Sequence, residues 1–366
     1  MRLVIKIGSN ILAPKGVLDE NRMRSIASDI ARISAAGHEA VLVSSGAVAA
    51  GIGKLGLKKK PSDIQLKQAV AAVGQSALMW AYEKVFGETG KKVAQILLTR
   101  DVFTDRARYI NSRNTIITLL GLGVIPVINE NDTVSVEEIK FGDNDHLAAL
   151  VASLVEADRL VILSDVDGLY PADPKQDPDA RIIPLVTEIT PQMEKLAGGA
   201  GSAVGTGGMY SKILAAKKAM GAGITVNIIN GRKHNLLIEI LEGRACGTEF
   251  RPGNGRLSAR KGWIAYGLKA KGRLIIDEGA KEALLSKGKS LLPSGIVSVE
   301  GSFDKGDPVY CISPEGERIA KGLSNYSAWE IEKIRGRKTS EIEVILGYRY
   351  SDEVIHRDNL VLTKHA

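Results

Sequence analysis

The sequence predicts an α/β protein, a three-layer sandwich around a mostly parallel sheet, followed by a small β-rich domain. Three observations predict it. Short β-branched runs alternate with longer helical patterns as far as Leu241. Those runs are almost continuously apolar, as in strands covered on both faces. After about residue 250 the pattern changes to short strands separated by turn signals.

The elements follow in order. Residues 3–7 form the first apolar run, and the spacing predicts a helix over 20–36. Strands at 40–44, 93–98, 124–128 and 160–164 alternate with helices at 63–86, 107–120 and 145–155. A Gly/Ala/Ser-rich segment, 198–208, then leads to a helix over 212–220 and a strand at 225–229. Strand–helix alternation implies right-handed crossovers and a parallel sheet, whose ligands gather at the carboxyl ends of its strands. Further on, strands are expected at 273–276, 295–299, 308–312, 318–323 and 343–346, with Asp304-Lys305-Gly306-Asp307 and Pro314-Glu315-Gly316 as turns. Residues 251–273 carry seven basic residues and no acid. They read as a hinge between folded units.

Composition narrows the class. A chain of 366 residues with 44% hydrophobic and 25% charged residues is neither disordered nor too short for a large core. The net charge of +7 is shared between both parts, so no basic tail argues for nucleic acid. Cys246 and Cys311 are too few for a disulfide scaffold, which suits a reducing, cytoplasmic setting. Met1-Arg2-Leu3-Val4-Ile5-Lys6 has no apolar region of the signal-peptide kind. The uncharged stretch 114–129 is broken by glycines and Pro126, so no membrane span is expected.

The chemistry sits at the strand ends. The first strand contains Lys6 and runs into Gly8-Ser9-Asn10; the second ends in Ser44-Ser45-Gly46-Ala47. The fourth ends in Asn129-Glu130-Asn131-Asp132, with Gly142-Asp143-Asn144-Asp145 at the next helix start. The fifth ends in Ser164-Asp165-Val166-Asp167-Gly168, and Thr206-Gly207-Gly208-Met209-Tyr210-Ser211-Lys212 opens a later helix. Glycines at helix N-termini let backbone N–H groups approach phosphate oxygens. Lys6 and Lys212 could neutralise a phosphate from opposite sides. Each piece alone also suits a surface lysine, a turn, an N-cap or a flexible loop. Their convergence on one sheet edge favours phosphoryl transfer, which asks mainly for positioning and charge neutralisation. The P-loop motif does not occur. The five histidines lack metal-ligand spacing, and the Gly-x-Ser-x-Gly of a serine hydrolase is absent.

These strand-end motifs resemble the amino acid kinase superfamily and, within it, the glutamate 5-kinase family. Ser290-Leu291-Leu292-Pro293-Ser294-Gly295, Gly301-x-Phe303-x-x-Gly306-Asp307 and Ile319-Ala320-x-Gly322 resemble a PUA domain. The resemblance implies an amino acid kinase domain over 1–258, a basic linker over 259–271 and a PUA domain with a tail over 272–366. It implies ATP-dependent phosphorylation of the L-glutamate γ-carboxylate, the first step of proline biosynthesis, with inhibition by proline. Lys6, Lys212 and Asp145 become the catalytic set, Asp145 orienting the two lysines. ATP falls to Lys6, Gly8, Ser164, Asp165 and Thr206 through Lys212, namely Thr206, Gly207, Gly208, Met209, Tyr210, Ser211 and Lys212. Glutamate falls to Ser45, Asp132 and Asn144. Mg²⁺ is expected on the ATP phosphates and water rather than on protein side chains. A homo-oligomer and functional coupling to a glutamate-5-semialdehyde dehydrogenase are also implied. PUA domains bind RNA in modifying enzymes, but the PUA-like segment mixes its charges, so RNA is not favoured here. Kinases of the same fold acting on N-acetylglutamate, aspartate, UMP or an isoprenoid phosphate are the nearest alternatives. Asp132 argues against acetylated substrates, which lack an ammonium.

Overall fold

The computed structural model describes residues 1–59, 61–134, 144–172, 177, 179–197, 208–253, 261, 264–265 and 268–363. The chain divides into two compact units, residues 1–256 and 257–366.

The first unit contains, in chain order, β1 (Arg2–Ile7), α1 (Ser9–Leu12), α2 (Glu20–Ala35), β2 (Glu39–Ser44), α3 (Ala47–Leu55), α4 (Ile64–Gly87), β3 (Val93–Leu98), α5 (Arg106–Gly121) and β4 (Ile125–Glu130). It continues with α6 (Asn144–Leu154), β5 (Arg159–Ser164), β6 (Leu185–Val186), α7 (Pro191–Ala197), α8 (Met209–Gly221), β7 (Thr225–Asn230), α9 (Leu236–Leu241) and β8 (Thr248–Phe250). Among the described residues the sheet has eight strands in the order β3-β4-β2-β1-β5-β7-β8-β6. The six from β3 to β7 pair in parallel, and β8 runs antiparallel to β7.

Strand periodicity sorts the layers. Leu3, Ile5 and Ile7 of β1 join a core with Met23, Ile26, Ile30 and Ile33 of α2 and Leu78, Tyr82 and Val85 of α4. The α2 stripe recurs every three or four residues, the helical period. Val4 and Lys6 therefore point to the opposite face, where β1 neighbours α6. The central strands are covered on both faces. β3 differs: it is the sheet's edge, and Gln95 and Leu97 are exposed. An apolar run alone does not separate an edge strand from a central one.

The sequence pattern missed α3. Its residues, Ala47-Val48-Ala49-Ala50-Gly51-Ile52-Gly53-Lys54-Leu55, carry no wide apolar stripe because the helix meets α4 through glycines. A Cβ on Gly74 would lie 1.7 Å from the Ala47 carbonyl oxygen, and one on Gly51 1.9 Å from that of Val70. Only glycine permits this crossing, which seats the N-terminus of α3 beside the strand ends.

The second unit has β9 (Gly272–Ile276), α10 (Glu278–Lys287), β10 (Ile296–Gly301), β11 (Pro308–Ile312), β12 (Arg318–Leu323), α11 (Ala328–Ile334), α12 (Ile342–Leu346) and β13 (Leu360–Leu362). Its sheet order is β10-β9-β11-β12-β13, antiparallel apart from the β9–β11 pair. Residues 343–346, expected as a strand, are instead helical in α12. Ile342, Ile345 and Leu346 recur at helical spacing, and Gly347 ends the helix at φ 82°. Lys321, 3% exposed on β12, donates to the carbonyl oxygens of Ala265, at 3.0 Å, and Leu268. Burial, helped by Arg318, pushes its ammonium down to about 8.

Candidate active site

Parallel pairing brings the carboxyl ends of β1, β2, β4, β5 and β7 to one edge. At the end of β1 the chain turns at Gly8, whose N–H donates to the Leu163 carbonyl oxygen at 3.2 Å. α1 starts at once, and Asn10 Nδ2 donates to Asp165 Oδ2 at 3.0 Å. Ser164 is buried at the end of β5, and its Oγ donates to Asp165 Oδ1 at 3.3 Å. Burial pushes the Asp165 carboxyl upward. The bonds from Asn10 and Ser164, and the charge of Lys212, outweigh that and hold it below the usual range.

Asp145 is the electrostatic centre. It is fully buried, and Lys6 and Lys212 are 4% and 5% exposed. Lys6 Nζ contacts Asp145 Oδ1, while Lys212 Nζ lies 3.2 Å from Oδ2. Ser211 Oγ adds a bond to Oδ2 at 3.1 Å and reaches the Gly208 carbonyl oxygen at 2.7 Å. Burial alone would raise the Asp145 pKa, but the two lysines reverse the shift and hold the carboxylate below its ordinary range. Three elements are joined here: Lys6 comes from β1, Asp145 from the first turn of α6, and Lys212 from the first turn of α8. Buried charges persist only when paired, so the lysine tips are held where they stand.

A second cluster lies beside it. Asn144 Nδ2 donates to the Ser44 carbonyl oxygen at 2.6 Å, Ser45 Oγ at 3.1 Å and Asn129 Oδ1 at 2.9 Å. Gly46 follows Ser45 at φ 106°, in the left-handed region, and caps α3. Ser44 Oγ meets the Tyr82 hydroxyl at 2.8 Å. Asp132 stands half-buried in the turn after β4. Thus Lys6, Asp145, Ser211 and Lys212 form one cluster, Gly8, Ser164 and Asp165 its neighbour, and Ser45 and Asn144 the second. Met209 begins α8, Gly208 precedes it in extended conformation and Tyr210 is 45% exposed. Thr206 and Gly207 lie outside the described residues.

Sequence reasoning passed over three participants: Asn10, Asn129 as a hydrogen-bonding hub, and Gln75 of α4, whose Oε1 accepts from Asn129 Nδ2 at 2.8 Å. A signal for Gln75 existed. It interrupts the buried line Ala71, Leu78, Tyr82 at helical spacing, where a polar residue calls for a partner.

Two buried lysines sharing one aspartate, beside glycine turns at the carboxyl edge of a parallel sheet, define a phosphoryl-transfer site on an α/β fold. Residues 1–230 match the amino acid kinase family and residues 272–346 the PUA domain. The chain belongs to the amino acid kinase family. Its relatives within that family include the glutamate 5-kinase of Geobacter sulfurreducens, 55% identical over 362 residues, which span 99% of this chain and 97% of the relative. Another is the glutamate 5-kinase of Caldanaerobacter subterraneus subsp. tengcongensis, 54% identical over 367 residues, covering 100% and 99%. Among solved structures, the isopentenyl phosphate kinase product complex of T. acidophilum matches 69% of this chain and 100% of its own, with TM-score 0.47 and 20% identity.

Proposed function

We propose that this protein is a glutamate 5-kinase: it transfers the γ-phosphoryl group of ATP to the γ-carboxylate of L-glutamate, giving L-glutamyl 5-phosphate and ADP. The observation that carries the reading is Asp145 held between Lys6 and Lys212. This is the first step of proline biosynthesis, and it takes place in the cytoplasm.

The substrate's γ-carboxyl has a reference pKa of about 4.3, so it is already a nucleophile at neutral pH and needs no general base. The difficulty is the approach of two anions. Unit charges ~4 Å apart repel by about 4 kcal/mol at an effective dielectric of 20, roughly a thousandfold in rate. Lys6 and Lys212, oriented by Asp145, offset that repulsion as charge moves onto the transferring group. The backbone of Gly8 and of the Gly208–Lys212 turn supplies N–H groups to the nucleotide's phosphates; Thr206 and Gly207 are assigned to the nucleotide by the family resemblance alone. Ser164 and Asp165 hold the nucleotide further along, and Met209 and Tyr210 flank it.

Glutamate's α-amino group meets Asp132 and the Asn144 oxygen, and Ser45 holds the substrate at the start of α3. Both oxygens of Asp145 face lysines, so Mg²⁺ travels on the ATP phosphates and water. When bound it supplies further positive charge. The domain assignment is a kinase domain over 1–258, a basic linker over 259–271 and a PUA domain over 272–366. Proline, sharing glutamate's α-carboxylate and amino group, inhibits at the glutamate site. The enzyme works as a homo-oligomer, coupled to a glutamate-5-semialdehyde dehydrogenase that consumes its product. Among the described residues no helix is long and apolar enough to cross a membrane.

Incubation with ATP, Mg²⁺, glutamate and hydroxylamine should yield the γ-hydroxamate. Faster ADP release with N-acetylglutamate or UMP than with glutamate would overturn the assignment.

A further inference from the structure

Two consecutive residues serve the two clusters of the site. Asn144 and Asp145 stand in the first turn of α6, where successive side chains diverge by about 100°. Asp145 turns to Lys6, Lys212 and Ser211. Asn144 turns to the Ser44 carbonyl oxygen, Ser45 Oγ and Asn129 Oδ1, and all three contacts are made by Nδ2. A carbonyl oxygen only accepts, so the bond to Ser44 fixes Nδ2 on that side. Asn144 Oδ1 has no donor among the described residues, and an amide oxygen can only accept.

The chemistry of the product gives this arrangement a second use. L-Glutamyl 5-phosphate carries an activated acyl carbon and an amino group on one short chain, placed to close a five-membered lactam. The ammonium first loses a proton to water. Its lone pair then forms the N–C5 bond, the C5–O bond to the phosphoryl group breaks, and phosphate leaves with that electron pair. The second proton on nitrogen goes to solvent. The step therefore needs a neutral amine and a folded chain that brings nitrogen to roughly 3–3.5 Å from C5. A surround of acceptors denies the first, and separation of the two clusters denies the second.

We propose that the site protects its acyl-phosphate product from cyclisation, by keeping the α-ammonium protonated and the chain extended until release. This rests on the assignment of glutamate as substrate. Asn144 Oδ1 and Asp132, half-buried after β4, accept from the ammonium. A carboxylate beside a cation favours its charged form, and each unit added to the ammonium's pKa lowers the free-amine fraction tenfold. The phosphoryl end stays with Lys6 and Lys212, which Asp145 holds on the other side of the α6 turn.

The test runs the full chain with ATP, Mg²⁺ and glutamate while hydroxylamine is raised to saturation. Hydroxylamine captures released product as the hydroxamate, so lactam (5-oxoproline) that persists at saturating trap was formed on the enzyme. Wild type should leave almost none, and its lactam fraction should be flat from about pH 7 to 9. Asp132→Asn, assayed at saturating glutamate, should raise that fraction about tenfold or more, increasingly so as pH rises. A wild-type fraction that climbs with pH, as cyclisation of the free acyl phosphate does, would overturn the proposal. So would a variant fraction equal to that of wild type. The wild-type arm decides the matter by itself if the variant does not fold. A wild type that forms neither hydroxamate nor lactam from glutamate would instead refute the functional reading.

Discussion

Asp145 sets the charge pattern of the site at the level of single residues. Its carboxylate holds two ammonium groups at fixed points, so removing either lysine should be felt most when charge develops. Lys212→Ala should lower kcat by roughly 10²-fold or more while altering the KM for glutamate little. Asp132→Ala should do the reverse, because an ammonium contact is made equally in ground and transition states. Steady-state kinetics in both substrates separate the two, and swapped patterns would mean swapped roles. The acid limb of the pH profile follows from the same charges. The carboxylates of Asp145 and Asp165 are held below their ordinary range, so they stay ionised after the substrate's own carboxyl, near 4.3, begins to protonate. kcat/KM should therefore be flat from about pH 8 to 6 and fall nearer pH 5; a break at pH 6 to 7 would point to another group. For folding, a depressed carboxylate pKa gives stability that is present above the unfolded value and lost as pH falls through the folded one. Lys6 and Lys212 were legible in the sequence because lysines at strand and helix starts stand out against apolar runs. Gln75 was legible only as a polar interruption of a buried helical line, since its partner, Asn129, lies 54 residues away.

At the level of elements, the closeness of α3 and α4 positions half of the substrate site. Gly74→Ala would drive a methyl to within 1.7 Å of the Ala47 carbonyl oxygen. Overpacking of this kind costs about 1–3 kcal/mol or more. The helices must separate, carrying Ser45 and Gly46 with them. A lower melting temperature and a raised KM for glutamate are expected together, with the KM for ATP less affected; a raised KM for ATP alone would place the strain elsewhere. Six of the eight strands described in the first sheet were readable to within two residues, because β-branched runs bounded by glycine and polar residues have few other uses; β6 and β8, two and three residues long, are too short to show a period and were not read. α3 was unreadable for the reason that makes it useful: its contact face is backbone and glycine, which leaves no apolar period. The strand expected at 343–346 failed differently. Four apolar or long residues in a row fit either period, and the deciding glycine lies just outside the run.

For the whole molecule, the site residues described above all belong to residues 1–256. A chain ending at 258 should fold and keep measurable hydroxamate formation; a folded but inert product would mean that the second unit helps build the site. The second unit has its own dependence on what precedes it. Lys321 keeps its buried charge by donating to the carbonyls of Ala265 and Leu268, residues upstream of the first strand of that sheet. Cut at 272, the fragment would retain the lysine and lose both carbonyls, and a charge without acceptors would have to be hydrated or neutralised. A fragment of residues 257–366 should accordingly melt well above one of 272–366. In evolutionary terms, the PUA-like module cannot be shuffled between proteins at the boundary its sheet suggests. It has to bring along a short leader, and any fusion or split that discards those few residues starts life destabilised.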